Sequence, residues 1–387
     1  MLIEDQKSFD DLVARIHRSP AVCLDTEFIS EHSYRPRLCL LQLGFDEAVY
    51  AVDPFRVSKL DSFLDVLMDP NVEKVVHSGQ QDMMIFFDLM GTTPESMFDT
   101  QVAAALLGHG ESIGYARLVD AALGVRLPRD ETFTDWSQRP LTSDQIAYAL
   151  DDVRYLMPLH AMLMENLESL GRLDWLNEEM AIYKDVHFYG RDPKTLHTKI
   201  RGAGRLTRAE LAVLRELARW REDEARQKNS PRSRVVGDEV LCDLARRQPS
   251  DHRALAKLRG LHPRLIKRSG DGMLACIAKA RKLDQDSYPE SIPQKPKDPR
   301  LTSQVDLLEV FLKTRAAELK ISPGSLATRS QLYLIVDAVR TDKLPDCPAP
   351  VLQGWRRDFI GQSMIDFLYG AASLRIDPKN GGVRITT

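Results

Sequence analysis

Asp25-Thr26-Glu27, Asp82 and Tyr148-x-x-x-Asp152 fall in that order along the first half of the chain. Brought to one site, these four carboxylates have the chemistry to bind a pair of divalent cations. Such a pair drives in-line hydrolysis of a phosphodiester. Tyr148 stands one helical turn before Asp152, placed to orient an attacking water.

The elements around these residues can be read from periodicity. Short apolar runs at Ala21–Asp25, Leu38–Phe45, Ala48–Val52 and Lys74–His77 predict strands. Ser58–Met68, Gln80–Met90 and Thr100–Leu107 carry helical spacing, and from Ser112 onward the pattern is helical. Alternation of this kind predicts an α/β domain with a mixed sheet. Asp25 and Glu27 are two apart in a strand, so they share a face, with Val22, Leu24 and Thr26 on the other. Two carboxylates forced onto one face invite a shared cation. Asp82 follows the strand at 74–77 and the turn Ser78-Gly79, near a helix start. Tyr148 and Asp152 are i and i+4 on a helix running from Ser143 to Leu156, with Ser143 as the candidate cap. Each signature alone has an ordinary alternative: a solvated strand edge, a helix-dipole aspartate, a half-buried tyrosine. Their order and contexts together carry the weight.

At 387 residues the chain has room for two or three cores. Its net charge of −3 conceals an asymmetry: residues 1–190 hold 15 Lys+Arg against 32 Asp+Glu, whereas residues 191–285 hold 24 against 12. An acidic block beside a basic one suggests a metal-dependent catalytic segment tied to one that binds a polyanion. The five cysteines are scattered and form no C-x-x-C pair, which argues against a disulfide framework or a zinc site and for a reducing compartment. The N-terminus reads as amphipathic, not as a signal peptide, and no apolar run reaches membrane-spanning length. These features predict a cytoplasmic protein without a membrane partner. The proline-rich stretch 286–300 reads as a linker between helical segments, and 376–387 as a frayed tail.

The motif set resembles ribonuclease D, a DEDD-type exonuclease family of the tyrosine subclass. The resemblance rests on Leu24-Asp25-Thr26-Glu27-Phe28, Tyr34-x-Pro36-x-Leu38-x-Leu40-x-Gln42-Leu43 and His77-x-Gly79-x-x-Asp82. Asp135-Trp136-x-x-Arg139-Pro140-Leu141 and Tyr148-Ala149-x-x-Asp152-x-x-Tyr155-Leu156 complete it. Farther on, Arg215-Glu216-Leu217-x-x-Trp220-Arg221-x-x-Glu224, Asn229-x-Pro231 and Leu258-Arg259-Gly260 resemble the HRDC module. Leu326-Ala327-Thr328-Arg329 and Leu352-x-Gly354-Trp355-Arg356 resemble a second, more divergent one. The chain departs from the pattern at Ser30, where the family usually has a basic residue, and at Arg129, where it has lysine.

What the resemblance implies is a ribonuclease H-like exonuclease domain at 1–190, followed by two all-α HRDC bundles at 205–285 and 301–375. The implied activity is 3′→5′ exoribonuclease, releasing 5′-mononucleotides, with tRNA precursors as substrates, two Mg2+ or Mn2+ ions as cofactors, and a monomeric state. Asp25, Glu27 and Asp152 would hold the cation that activates water; Asp25 would bridge to the second, with Asp82 reaching it through water. Tyr148 would position the nucleophile. Phe28, packing near the terminal base, and His77 would bind substrate, or His77 would instead fix the loop before Asp82. Arg219, Arg226, Arg259 and Lys267 would contact phosphates, as would neighbouring basic residues such as Arg215, Arg232, Arg234, Arg264 and Arg268. Two rivals remain open: a 3′→5′ DNA exonuclease of the same superfamily, and a catalytically silent nucleic-acid-binding scaffold.

Overall fold

A computed structural model describes the chain except residues 32, 129–133, 190–191, 193, 293–298, 379–380 and 387. Arg129 and the middle of the expected 286–300 linker therefore lie outside the described residues. The chain forms two compact units: Met1–Glu27, Cys39–Asp185 and Lys295–Thr387 make the first, Phe28–Leu38 and Val186–Gln294 the second.

The first unit is built on a six-stranded mixed sheet in the order β1-β4-β3-β2-β5-β6. The strands are β1 (Leu2–Ile3), β2 (Ala21–Ile29), β3 (Arg37–Phe45), β4 (Ala48–Val52), β5 (Glu73–Val76) and β6 (Met97–Asp99). β1 runs parallel to β4, β5 runs parallel to β2 and β6, and β3 and β4 form an antiparallel hairpin. Between strands come α1 (Gln6–Ile16), α2 (Asp61–Met68) and α3 (Gln80–Met90). After the sheet follow α4 (Thr100–Leu106), α5 (Tyr115–Leu123), α6 (Ser143–Arg154), α7 (Leu156–Ser169) and α8 (Leu173–Met180). The helices form where local chemistry asks for them. In α1 the Asp5 side chain caps the Ser8 amide, and Phe9, Leu12, Val13 and Ile16, spaced for one face, are all buried. The strand carrying the first acidic motif is longer than its apolar run suggested, so Asp25 and Glu27 both lie within it.

The C-terminal helices, from Pro299–Glu318 to Gln362–Leu368, share a core with the sheet and α4–α8. Leu308, Phe311, Ile335 and Ile360 bury into the same cluster as Cys23, Val75, Val153 and Leu163. The chain's end is not frayed as expected: Ser373–Ile376 and Val383–Thr386 form an antiparallel hairpin. The Gly381-Gly382 pair lies between these two strands, and Leu374 and Ile385 pack on the core.

The second unit surrounds three helices, Arg208–Gln227, Asp238–Arg247 and Pro263–Ala280. Leu211, Leu214, Leu217 and Ala218 repeat at helical spacing and bury against Leu241, Leu244, Met273 and Ile277. Thr207 and Glu210 close a capping box on the first helix. The third begins at Pro263, because proline suits the first helical position and His262 caps it. The segment following β2 belongs to this unit. Its Tyr34 hydroxyl donates to Glu222 over 2.6 Å, and Asn229 Oδ1 accepts the Tyr34 amide at 3.1 Å.

Candidate active site

The site starts from the sheet. β5 ends at Val76, one residue past the pairing of Cys23 with Val75. Farther along β2, the edge that faced β5 loses its partner, and Asp82 takes over. Its carboxylate accepts from the Thr26 hydroxyl and is held by the Thr26 backbone amide as well. Asp82 is 7% exposed and sits in the first turn of α3, where the helix dipole favours a negative charge.

What aims Asp82 is the turn before it. Asp99, buried at the end of β6, accepts the Ser78 amide at 2.9 Å and the Gly79 amide at 3.1 Å. The same carboxylate caps α4 through the Gln101 amide and accepts the Tyr183 hydroxyl at 2.7 Å. Gly79 is required: a Cβ there would fall 2.6 Å from the Val76 side chain. His77 braces the turn from the other side. One ring nitrogen is 2.8 Å from Thr100 Oγ1 and the other 3.0 Å from the Ile113 carbonyl. Burial keeps its pKa low and the ring neutral, so the Ile113 carbonyl accepts from Nε2–H. Both nitrogens are occupied inside the protein. The geometry therefore gives His77 a supporting place and does not present it to substrate.

Helix α6 brings the third motif. Its cap is Thr142, not Ser143: the Thr142 side chain accepts the Gln145 amide, and Gln145 reaches back to the Thr142 amide. The Gln145 side chain also donates to Thr134 Oγ1 over 2.7 Å. The helix lies close to the sheet because β3 carries Gly44, where a Cβ would stand 3.3 Å from the Val153 carbonyl oxygen. Tyr115 braces the end of α6, donating to the Asp151 carbonyl at 2.9 Å and accepting the Tyr155 amide at 3.1 Å.

Tyr148 is half-buried, with its ring 6.1 Å from that of Trp136. Trp136 belongs to a loop pinned by Arg139. The Arg139 guanidinium makes two bonds to Asp53, at 2.6 and 2.9 Å, and others to the Cys39 and Trp136 carbonyls. Asp53 is 1% exposed. Burial works against its charge, but the Arg139 hydrogen bonds outweigh it and hold the carboxyl below the usual range.

The four acidic side chains feel one another. Asp25 is pushed well above the ordinary carboxylate range, first by burial and then by Asp82, Asp152 and Glu27. Burial, then Asp152 and Asp82, push Glu27 up to about 8. Asp82 rises to about 6 through burial, against the opposing Thr26 bonds, and Asp152 to about 7 through burial and Asp151. Among the described residues, no three His, Cys, Asp or Glu side chains already converge into a metal cage. The donor set nonetheless fits hard divalent cations: it consists of carboxylate oxygens, and it concentrates negative charge that a cation would neutralise.

The remaining sequence candidates are dispersed. Phe28 is half-buried near the end of β2 and Ser30 is exposed. Arg219, Arg226, Arg259 and Lys267 are exposed on the second unit, Arg226 with its guanidinium 6.0 Å from the Tyr34 ring. Thr26, Asp99, Tyr115 and the Arg139–Asp53 pair support the site without an individual signature in the sequence. Their sequence signal was at most a place inside or beside a motif.

A family model described as 3′-5′ exonuclease matches residues 1–168, and one described as HRDC domain matches residues 210–277. The chain is 38% identical to the ribonuclease D of Sphingobium indicum over 391 residues, covering 100% of this chain and 98% of that protein. It is 35% identical to the ribonuclease D of Pseudomonas paraeruginosa, over 95% of this chain and 97% of that one. The crystal structure of Escherichia coli RNase D, described as an exoribonuclease involved in structured RNA processing, matches with a TM-score of 0.84 at 30% identity. That match covers 96% of this chain and 98% of the other, so the mixed sheet is a ribonuclease H-like exonuclease fold followed by a helical HRDC region. The chain belongs to the ribonuclease D family of 3′→5′ exoribonucleases.

Proposed function

We propose that the chain removes 5′-mononucleotides from the 3′ ends of structured RNAs, tRNA precursors above all, and does so with two divalent cations, Mg2+ or Mn2+. The observation that carries this reading is the mutual electrostatics of Asp25, Glu27, Asp82 and Asp152, whose burial and repulsion favour bound cations. Asp25, Glu27 and Asp152 would hold one cation, and Asp25 with Asp82 the other. Bound there, the pair would supply Lewis acidity to the attacking water and offset charge on the leaving 3′ oxygen.

The chain's own residues do the positioning. Tyr148, its ring beside Trp136, carries a phenolic hydroxyl. It can hold a water by hydrogen bond without taking its proton. Attack forms a bond from water oxygen to phosphorus as the bond to the 3′ oxygen breaks on the opposite side. The departing nucleotide keeps its 5′ phosphate. Basic residues of the HRDC region add sequence-independent phosphate contacts. Structured RNA is the substrate class because Escherichia coli RNase D is described as acting in its processing. The same reading places a monomeric enzyme in the cytoplasm, in keeping with five free cysteines. Among the described residues no helix is long and apolar enough to cross a membrane.

The test is stepwise nucleotide release from a 3′-labelled tRNA precursor with Mg2+, Mn2+ or chelator, beside Asp25→Asn. Release that needs the cation and vanishes in the variant supports the proposal. Release from DNA but not RNA would transfer the chain to DNA chemistry, and no release from either would leave a binding scaffold.

A further inference from the structure

The basic residues of the HRDC unit are not equivalent. Arg232 is bonded to Glu222, Arg221 to Asp238, Arg246 to Asp243 and Lys279 to Glu216. Arg264 and Arg268 have no acidic partner for their guanidinium groups among the described residues. Both are exposed and stand one turn apart on the helix Pro263–Ala280. Like charges at this spacing repel. Their placement adds to the penalty: the helix's first turns lie at the positive end of its dipole, and its first turn holds no acid. Three cations, counting Lys267, thus crowd an end that favours an anion.

The same two arginines line a cleft of about 310 Å³ in this unit. Its wall also includes Arg234, His262, Gly237 and Gly260, and no carboxylate-bearing residue lines it. His262 accepts the Arg264 amide at Nδ1 over 3.2 Å, which leaves Nε2–H as a donor when the ring is neutral.

We propose that this arginine cleft between the 233–237 segment and the start of the helix Pro263–Ala280 is a phosphate subsite for the RNA backbone. It rests on the RNA-processing reading and assigns that reading a specific anchor. A phosphodiester seated there would lie between guanidinium groups and near the helix start, neutralising charge that the fold leaves uncompensated.

The test is RNA binding by the full chain carrying Asp25→Asn, followed by anisotropy of a 5′-labelled RNA across a salt series. Adding Arg264→Gln and Arg268→Gln together is expected to weaken binding roughly tenfold at low salt. The slope of log K against log salt should become shallower by about 0.7 for each phosphate that is no longer neutralised. Arg264→Lys with Arg268→Lys keeps the charge and should restore most of the slope. Arg246→Gln, removing an arginine already paired with Asp243, is the control for net charge. Unchanged affinity and slope in the doubly neutralised, folded protein would overturn the proposal. So would loss of inorganic phosphate binding with RNA binding intact, which would make the cleft a site for a free anion. RNA hydrolysis by the unsubstituted chain is followed in parallel, and its absence would count against the nuclease reading alone.

Discussion

Thr26, the residue between Asp25 and Glu27, donates its hydroxyl to the carboxylate of Asp82, 56 positions away in the chain. The first acidic motif is therefore bonded to the second through its middle residue. This bond opposes the rise that burial gives the Asp82 pKa and fixes one of its oxygens. Thr26→Val should remove a hydrogen bond to a charged group, worth about 1.5–3 kcal/mol. If Asp82 must be held for catalysis, kcat falls by about 10- to 100-fold, and Thr26→Ser recovers most of it. Single-turnover rates under saturating cation decide this; a wild-type rate in Thr26→Val would show that Asp82 needs no tether.

The raised carboxylates make stability depend on pH with a definite sign. Asp82 near 6, Asp152 near 7 and Glu27 near 8 lie above the ordinary value of about 4, so between these limits the folded state binds more protons than the unfolded one. Stability conferred by this cluster is therefore fully present below about pH 4 and is lost progressively as pH rises from there through about 8. In chelator, Tm should drop over that interval, and Glu27→Gln should flatten the drop. Added Mg2+ or Mn2+, binding the ionised form, should raise Tm more at the alkaline end. A Tm response to cation that is equal at both ends would contradict the mutual repulsion described for these side chains.

Arg139 and Asp53 form a nearly buried pair that anchors the loop carrying Trp136. Arg139→Ala should cost about 3–5 kcal/mol, because it leaves the Asp53 charge without compensation. Arg139→Ala with Asp53→Asn should cost less than the sum of the two single changes. Urea denaturation of the full double-mutant cycle measures the coupling, and strict additivity would rule it out. Because the Asp53 pKa is lowered, its contribution is present above the unfolded value and fades as pH falls through the folded one.

Trp355 joins the C-terminal helices to α8. Its ring stacks on Trp175 at 4.4 Å between centroids, its indole donates to Glu179 over 2.9 Å, and Arg356 binds the same carboxylate. Trp355→Ala should destabilise the first unit by about 3–5 kcal/mol. Since Cys23 and Val153, next to the acidic motifs, share the core with these helices, the loss should appear in probes of both regions together. Hydrogen exchange resolved by segment would show this, and destabilisation confined to 299–387 would argue that the two fold separately.

The sequence by itself determined what depends on near neighbours along the chain. Period two put Asp25 and Glu27 on one strand, and i to i+4 spacing put Tyr148 and Asp152 on one helix, because backbone geometry alone sets those relations. The mixed sheet followed from alternating patterns, and the motif order carried the family. The two-residue β1 and three-residue β6 were invisible, since strands that short have no pattern and exist by pairing with β4 and β5. Periodicity also shows that a helix buries one face, but not against what. Only packing could join the helices after Pro299 to the catalytic core, or the Tyr34 segment to Glu222. The supports of the site were decided in the same way. Thr26 with Asp82, Asp99 with Gly79 and Arg139 with Asp53 meet across 20 to 86 positions of chain, where a polar group finds its partner only after burial has stripped away water.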